Sequence, residues 1–449
     1  MQFGFGKCDI TPRVGVELLG YGPFLCRHST AVRDPLFARA MAVSGGDAPV
    51  VLVSCDLVGV SWEMTQDIRA RVAAETGISE DNVLVHGIHT HSGPVTFFCI
   101  GWGVADPPYL ETLPVRVAAA CVEAVRNLQP ATLRHAVVPC EGIGYNREEE
   151  GRPELADALR EDWRPAKPEL TDTVAQVLTV QAKSGELLGF ATHYSCHPVI
   201  GSQVSHYIHG DYAGVATNLL EREHPGATGL FLQGCHGNIN TCVVHHGEQE
   251  SLQALDVIAS RYARQVRPGI ATAGGAQVPA LQTSVQALRR LVPLTYDPVP
   301  EAELRDMLAQ QEATLKAPGA SDADGEVRMA AVYKDALGRE LARLEAGGEL
   351  DPRVEIQGFR MGELLILGAP FEIMLRYKRR VEAAFDCPVL VLSLCNGCKG
   401  YAPEKECFER EGNYAARMVP YLLGNPPFAS SIEDELVGHR VALGEDLRG

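Results

Sequence analysis

The sequence predicts an α/β protein of mixed α+β character: mixed β-sheets covered by helices, with an inserted helical hairpin. Three observations lead there. Apolar strand-like runs alternate with amphipathic stretches through the first half of the chain. Several of those runs are joined by short turns as hairpins, which argues against a purely parallel sheet. Residues 298–350 then break the pattern with two polar amphipathic helices around "PGASDADG".

The elements follow in order. "ARAMAVSGGDAPVVLVSCDLVGVS" reads as two strands about an "SGGDAP" turn. A helix over 61–76 starts at Ser61 as N-cap, with Glu63 in its first turn, and closes near Gly77. "NVLVHGIHT" is a buried strand, and "YLETLPVRVAAACVEAVRNL" a helix interrupted by Pro114. A strand leads into "GIGYNR", and the runs "TVAQVLTVQA" and "LLGFATHYSC" pair about "KSGE". "DYAGVATNLLEREH" is a helix started at Asp211, "TGLFLQGC" a strand and "SLQALDVIASRYARQV" a second amphipathic helix. Beyond the 298–350 hairpin, "VEIQGFRMGELLILGAP" folds about Met361 and Gly362, a helix runs from Phe371, and "PVLVLSLC" is the last strand. No internal repeat is visible.

Composition narrows the partners. A formal charge of -17 disfavours nucleic acid or an anionic membrane, both held chiefly by Lys and Arg. No apolar run is long enough to span a bilayer, and the N-terminus lacks the pattern of a signal peptide, so a cytoplasmic protein is expected. Thirteen cysteines without framework spacing suit reduced thiols. A homo-oligomer is possible, with the 298–350 hairpin as its expected interface.

Histidines carry the chemistry. Twelve of the fourteen lie between His86 and His246. If "NVLVHGIHT" stays extended, Val85, His89 and His91 share one face and His86 takes the other. Two imidazoles at i and i+2 before a "SGP" turn can place one ring on a metal and the other near a metal-bound water, though satisfied core histidines would give the same pattern. "THYSCHPV" repeats the arrangement, with His193, Ser195 and His197 on one face and Pro198 holding His197 extended. "LLILGAPFEI" delivers Glu372 from a buried strand to a helix start, as a carboxylate ligand, a general base or a simple partner of the helix dipole. "NGCKGYAPEKECFEREGNYAAR" is a loop carrying Tyr401 and Tyr414.

Together these motifs resemble the catalytic domain of the neutral, non-lysosomal ceramidase family. The matching pieces are "DITP" at 9–12, "DPLFARA" at 34–40, "CD" at 55–56, "HTHSGP" at 89–94, "YNR" at 145–147, "SCHP" at 195–198, "GDYAG" at 210–214, "QGCHGNIN" at 233–240, "GAPFE" at 368–372 and "GYAPEKECFEREGNY" at 400–414. The resemblance implies a single ceramidase-like catalytic domain over 1–449 that includes the hairpin, with no C-terminal β-sandwich. It also implies one zinc ion per chain, held by His89, His197, Glu372 and Tyr401. His91, Arg147 and Tyr414 would be the catalytic groups: His91 to donate to the oxyanion or shuttle a proton, Tyr414 and Arg147 to stabilise the same charge or orient the substrate.

The implied reaction is cleavage of an amide bond of a small N-acyl compound by metal-activated water. Arg147 could pair bidentately with a substrate carboxylate, which would favour an N-acyl amino acid. The chain departs from the family at "GNINT", where Asn240 takes the place of a serine and Asn238 that of an aspartate in a "GDVSP"-like turn. His236 beside it is an addition, and with Asn240 it is expected to touch substrate. Two rivals stay open: a TIM-barrel amidohydrolase using His89, His91, His197, His236 and Asp211, and a metal-binding module without turnover.

Overall fold

The computed structural model of the protein describes residues 1–45, 48–271, 276–277 and 285–449. Eight strands form the long path of the larger sheet: β1 (Gln2–Asp9), β2 (Phe37–Ser44), β3 (Val50–Cys55), β4 (Val83–Gly87), β5 (Gln129–Pro139), β6 (Val174–Ala182), β7 (Leu187–Tyr194) and β8 (Thr228–Gln233). Their order across the sheet is β8-β7-β6-β5-β1-β2-β3-β4, with Ala276–Gln277 pairing on β5. β7 and β8 run parallel, as do β3 and β4, while the other neighbours on this path are antiparallel. The sheet is therefore mixed, and an eight-unit βα barrel is excluded. The turn expected at "SGGDAP" falls partly outside the described residues.

A second sheet comprises β9 (Val285–Pro293), β10 (Arg353–Met361), β11 (Leu364–Gly368) and β12 (Val389–Leu392), in that order. Side-chain alternation explains how the two sheets stack. Met41, Val43, Leu52, Leu84, Ala191 and Leu230 of the large sheet share one core with Phe359, Leu364, Ile366 and Leu392 of the small one. The intervening residues Ala40, Val51, Val53 and Val85 pack against α1 (Trp62–Thr76) and α2 (Pro107–Arg126). Ala175, Phe190 and Phe231 meet α3 (Asp211–Glu223) and α4 (Glu248–Ile270) in the same way. Val354, Ile356, Leu365 and Val391 bury the outer face of the small sheet.

Two further helices, α5 (Glu301–Lys316) and α6 (Gly325–Glu345), form the polar pair. α6 buries Ala330, Val332, Ala336, Leu337 and Leu341 in the core behind the small sheet. α7 (Leu375–Glu382) and α8 (Ile432–Arg448) cover that same core. The four layers are thus helix, sheet, sheet, helix.

Local chemistry sets several boundaries. The Ser61 side chain accepts from Met64 N, and Gly77 closes α1 with φ of 74°. Pro114 does not interrupt α2, which runs through it. The helix loses only the bond that an N–H at 114 would have made, and Leu113 and Val117 stay buried on either side. Residue 371 does not open a helix. Instead Glu372–Ile373 pairs in parallel with Tyr401–Ala402, and α7 starts at Leu375.

Candidate metal centre

The site lies beyond the carboxyl ends of β4, β7, β8, β11 and β12, where loops of both sheets converge. This is the usual binding position where parallel strands end. β4 stops at Gly87, and His89 adopts a left-handed φ of 73°, so the alternation expected through His91 does not hold. The turn nevertheless brings both rings inward: His89 Nε2 and His91 Nε2 lie 3.2 Å apart. β7 likewise ends at Tyr194. His193 stays between the sheets, its Nε2 3.1 Å from the carbonyl of Val391, while His197 reaches the site. The shared face expected for these two residues ends with the strand.

Glu372 is the hub. Its Oε2 lies 3.2 Å from His89 Nε2 and 3.1 Å from His197 Nε2. The short pairing of 372–373 with 401–402 sets Tyr401 beside it, and Glu372 N donates to Gly400 O at 2.8 Å. A third imidazole joins them. Donor atoms of His89, His197, His236 and Glu372 all lie within 4.8 Å of one another. The sequence placed His236 among substrate contacts, and the structure sets it in the cup. Gly237 allows this, because a Cβ there would stand 2.7 Å from the carbonyl oxygen of Glu372.

The tautomers follow from backbone partners. His89 Nδ1 is 2.8 Å from Val58 O, His197 Nδ1 is 2.7 Å from His236 O, and His236 Nδ1 is 3.0 Å from Gly234 O. A carbonyl only accepts, so each Nδ1 carries a hydrogen and each ring turns its Nε2 inward. Burial, with Arg147 nearby, lowers His197 to about 4. Burial and the neighbouring imidazoles His197 and His89 hold His236 well below its ordinary value. For Glu372 burial acts upward, but His89 and His197 outweigh it and keep the carboxyl well below the usual range.

At neutral pH the cup therefore holds a carboxylate facing the bare ring nitrogens of His197 and His236. The contact between His197 Nε2 and Glu372 Oε2 has hydrogen-bond length but no hydrogen to fill it. A buried ring of acceptors is costly unless a cation lies among them. Three imidazoles and one carboxylate suit zinc in donor type and number. Backbone carbonyls on the remote ring nitrogens are the orienting partners such ligands require.

The other expected site residues surround this cup. Arg147 is held from its own backbone, its N donating to Asn238 O at 2.9 Å. Its Nη2 donates to Gly237 O at 2.7 Å and to Tyr401 Oη at 2.9 Å, and Nη1 to Asn240 Oδ1 at 3.2 Å. Both bidentate edges of a guanidinium use Nη2, and both Nη2 hydrogens are occupied here. Arg147 therefore has no free fork for a substrate carboxylate. Burial and Glu372 raise the Tyr401 phenol despite the adjacent Arg147. Tyr414 sits one ring further out, 6.2 Å from Tyr401 between centroids and partly exposed.

Two clefts meet at the cup. One is lined by Leu19, Val58, Phe97, Trp102 and Leu422 beside His89, Glu372 and Tyr401. The other is lined by Tyr21, Arg147, Asn240, His245 and Met329 of α6. His91, Trp102, Tyr401 and Tyr414 border both. Tyr21, Trp102 and His245 carry no motif in the sequence. Their only local sign is conformational: Tyr21 and His245 have φ of 67° and 58°.

Comparison with known proteins fixes the family. The model of the N-terminal part of neutral/alkaline non-lysosomal ceramidases matches residues 1–234. The chain belongs to the neutral/alkaline ceramidase family. The neutral ceramidase of Pseudomonas aeruginosa is 24% identical over 444 residues, covering 88% of this chain and 65% of that protein. Neutral ceramidase A of Dictyostelium discoideum is 26% identical over 239 residues, 51% of this chain and 33% of that protein. The chain thus spans between a third and two thirds of the length of these relatives.

The crystal structure of the Pseudomonas aeruginosa neutral ceramidase superposes with a TM-score of 0.73 at 22% identity, covering 99% of this chain and 75% of the other. A ceramidase complexed with C2 gives 0.74 at 20% identity, covering 100% and 75%. These likenesses establish a shared fold. The ceramidase-like chain has no helix among its described residues long and apolar enough to cross a membrane.

Proposed function

We propose that this protein is a zinc-dependent hydrolase that cleaves the amide (C–N) bond of a small N-acyl compound. The observation that carries the reading is the buried group of potential ligand atoms around Glu372, three imidazoles and a carboxylate within 4.8 Å of one another. A zinc ion bound there supplies a Lewis acid and brings the pKa of water down to about 7. In this reading His89, His197 and Glu372 are ligands, supported by the nearness of their donor atoms.

The surrounding residues divide the remaining work. His91 lines both clefts, and burial with His89 keeps it well below its usual pKa. It is therefore neutral, and at Nε2 it can take the proton of the attacking water and return it to the leaving amine. The Tyr401 hydroxyl, held by Arg147, and the Tyr414 hydroxyl stabilise the charge that grows on the carbonyl oxygen. The apolar cleft suits an acyl group, and the cleft with Arg147, Asn240 and His245 suits a polar amine part. Thirteen free cysteines fit a reducing compartment, so we place the protein in the cytoplasm.

The test is hydrolysis of a panel of N-acyl amino acids, N-acyl amines, a short-chain ceramide, esters and lactones by zinc-loaded protein. Ceramide belongs there because the relatives are named ceramidases. The expected result is turnover of small N-acyl compounds, abolished by chelation and restored by zinc. Zinc uptake without turnover of any compound would favour a binding module. Turnover of ceramide alone would contradict the small substrate.

A further inference from the structure

We infer that His236, rather than Tyr401, completes the protein's metal-ligand set, so that the ion is held by three imidazoles and one carboxylate and the phenol is left free to act on substrate. The inference rests on the metal centre proposed above and changes who builds it.

The observation is an asymmetry between the two candidates for the fourth position. His236 is fully buried, and its Nε2 has no hydrogen-bond partner. Its Nδ1 hydrogen is committed to Gly234 O, so the orphan atom is a bare lone pair. The ring sits 4.4 Å from His197 and 4.8 Å from His89 between centroids, with Nε2 inside the four-atom cluster. A lone pair buried without a partner is costly, and nothing among the described residues satisfies it. Tyr401 is the opposite case. Its oxygen accepts from Arg147 at 2.9 Å, and its hydroxyl also reaches the Glu372 carboxylate. It has partners already, whereas His236 Nε2 has none.

The backbone supports the same assignment. The carbonyl of His236 accepts from His197 Nδ1 at 2.7 Å, so one residue orients a neighbouring ligand while its own side chain points into the cup. Gly237 N donates to Ile373 O at 2.7 Å, tying this loop to the short strand that carries Glu372. A ligand needs a rigid mount, and residue 236 is fixed from both sides.

Charge adds a reason. Three neutral imidazoles and one carboxylate leave a divalent ion with a net charge of about +1, which polarises a carbonyl more strongly than a set that also contains a phenolate. With Tyr401 out of the set, its hydroxyl keeps a proton, is held 2.9 Å from Arg147 and borders both clefts.

The experiment compares wild type, His89→Ala, His236→Ala, His236→Gln and Tyr401→Phe, each stripped of metal. Zinc affinity is measured by competition with a chromophoric chelator, and coordination by the visible spectrum of the cobalt(II)-loaded protein. Circular dichroism and melting in chelator check the fold. Both His236 variants are expected to melt near wild type without metal and to lose about a hundredfold or more in zinc affinity, with an altered cobalt spectrum. Tyr401→Phe is expected to keep its affinity within about threefold and its spectrum unchanged.

The assignment is overturned if the His236 variants bind zinc like wild type while Tyr401→Phe loses it. If His89→Ala also binds like wild type, or wild type takes up no zinc, the metal-centre reading itself fails. If one His236 variant does not fold, the other and the Tyr401→Phe spectrum still decide.

Discussion

His86 and His89 stand three residues apart, yet one belongs to the seam between the sheets and the other to the cup. In the seam both nitrogens of His86 are satisfied by backbone: Nδ1 lies 2.9 Å from Ser393 O, and Nε2 accepts from Gln233 N at 2.8 Å. In the cup His89 has one backbone partner and turns its other nitrogen toward a carboxylate and two further imidazoles. Burial is almost equal in the two places. What separates His86 from His89 is thus that backbone satisfies both ring nitrogens of the one and leaves Nε2 of the other facing a carboxylate and further imidazoles, and burial says nothing about it.

Substitution in the cup is expected to have the greatest effect. His89→Ala should lower amide hydrolysis by at least about a thousandfold and abolish tight zinc binding, while the chelated protein melts close to wild type. Kinetics and calorimetry on one preparation would check both halves. A variant that loses its fold along with its zinc would erase the distinction.

At the seam the expectation reverses. His86→Ala leaves Gln233 N–H and Ser393 O unpaired and opens a cavity, so stability should drop by about 3–5 kcal/mol in urea unfolding. Zinc affinity of the molecules that remain folded should not change. A seam variant of normal stability and lost metal would make His86 part of the site after all.

Arg147→Lys tests the edge of the cup. A lysine cannot reach Gly237 O, Asn240 and Tyr401 together, so kcat/KM should fall roughly 10- to 100-fold with zinc content unchanged. Loss of zinc in this variant would show that the guanidinium supports the ligands themselves.

The gentlest probe is pH. Burial lowers His86 from 6.5 to about 3, and burial with Lys378 does the same for His193. Between those values the unfolded chain binds a proton at each residue that the folded chain refuses. Metal-free stability should therefore be full above about pH 6.5 and decline as pH falls toward 3, by up to about 1.4 kcal/mol per pH unit for each histidine. His86→Asn should decline less steeply in chemical unfolding followed from pH 7 to 5.

Much of this molecule is legible in the sequence because periodicity reports which side of a sheet a residue faces. The alternation of "ARAMAVS" or "VVLVSC" fixes two cores at once, and Ser61, Gly77, Met361 and Gly362 mark boundaries by local chemistry. Pairing His89 with His91 and His193 with His197 through strand alternation was sound only as far as the strands run. Both strands stop short, and the left-handed turn at His89 is set by its N–H on Leu57 O, a contact that no local pattern announces.

Glu372 shows the same limit. Its neighbours read as a helix start, but pairing with Tyr401 across the chain draws it into a bridge of two residues. His236 lies in a loop whose purpose depends on where residues 197, 372 and 373 arrive, and Arg147 looks free for substrate until Gly237, Asn240 and Tyr401 close around it. Sequence names the residue types at such places. Only the tertiary contacts say which atoms remain available.

On this reading the cup around Glu372 holds one metal ion. Anomalous diffraction from crystals of the zinc-loaded protein, recorded on both sides of the zinc absorption edge, locates it. A single strong difference peak per chain is expected among His89 Nε2, His197 Nε2, His236 Nε2 and Glu372 Oε2. No peak between those atoms, or a peak only at some other group of side chains, would rule the metal centre out.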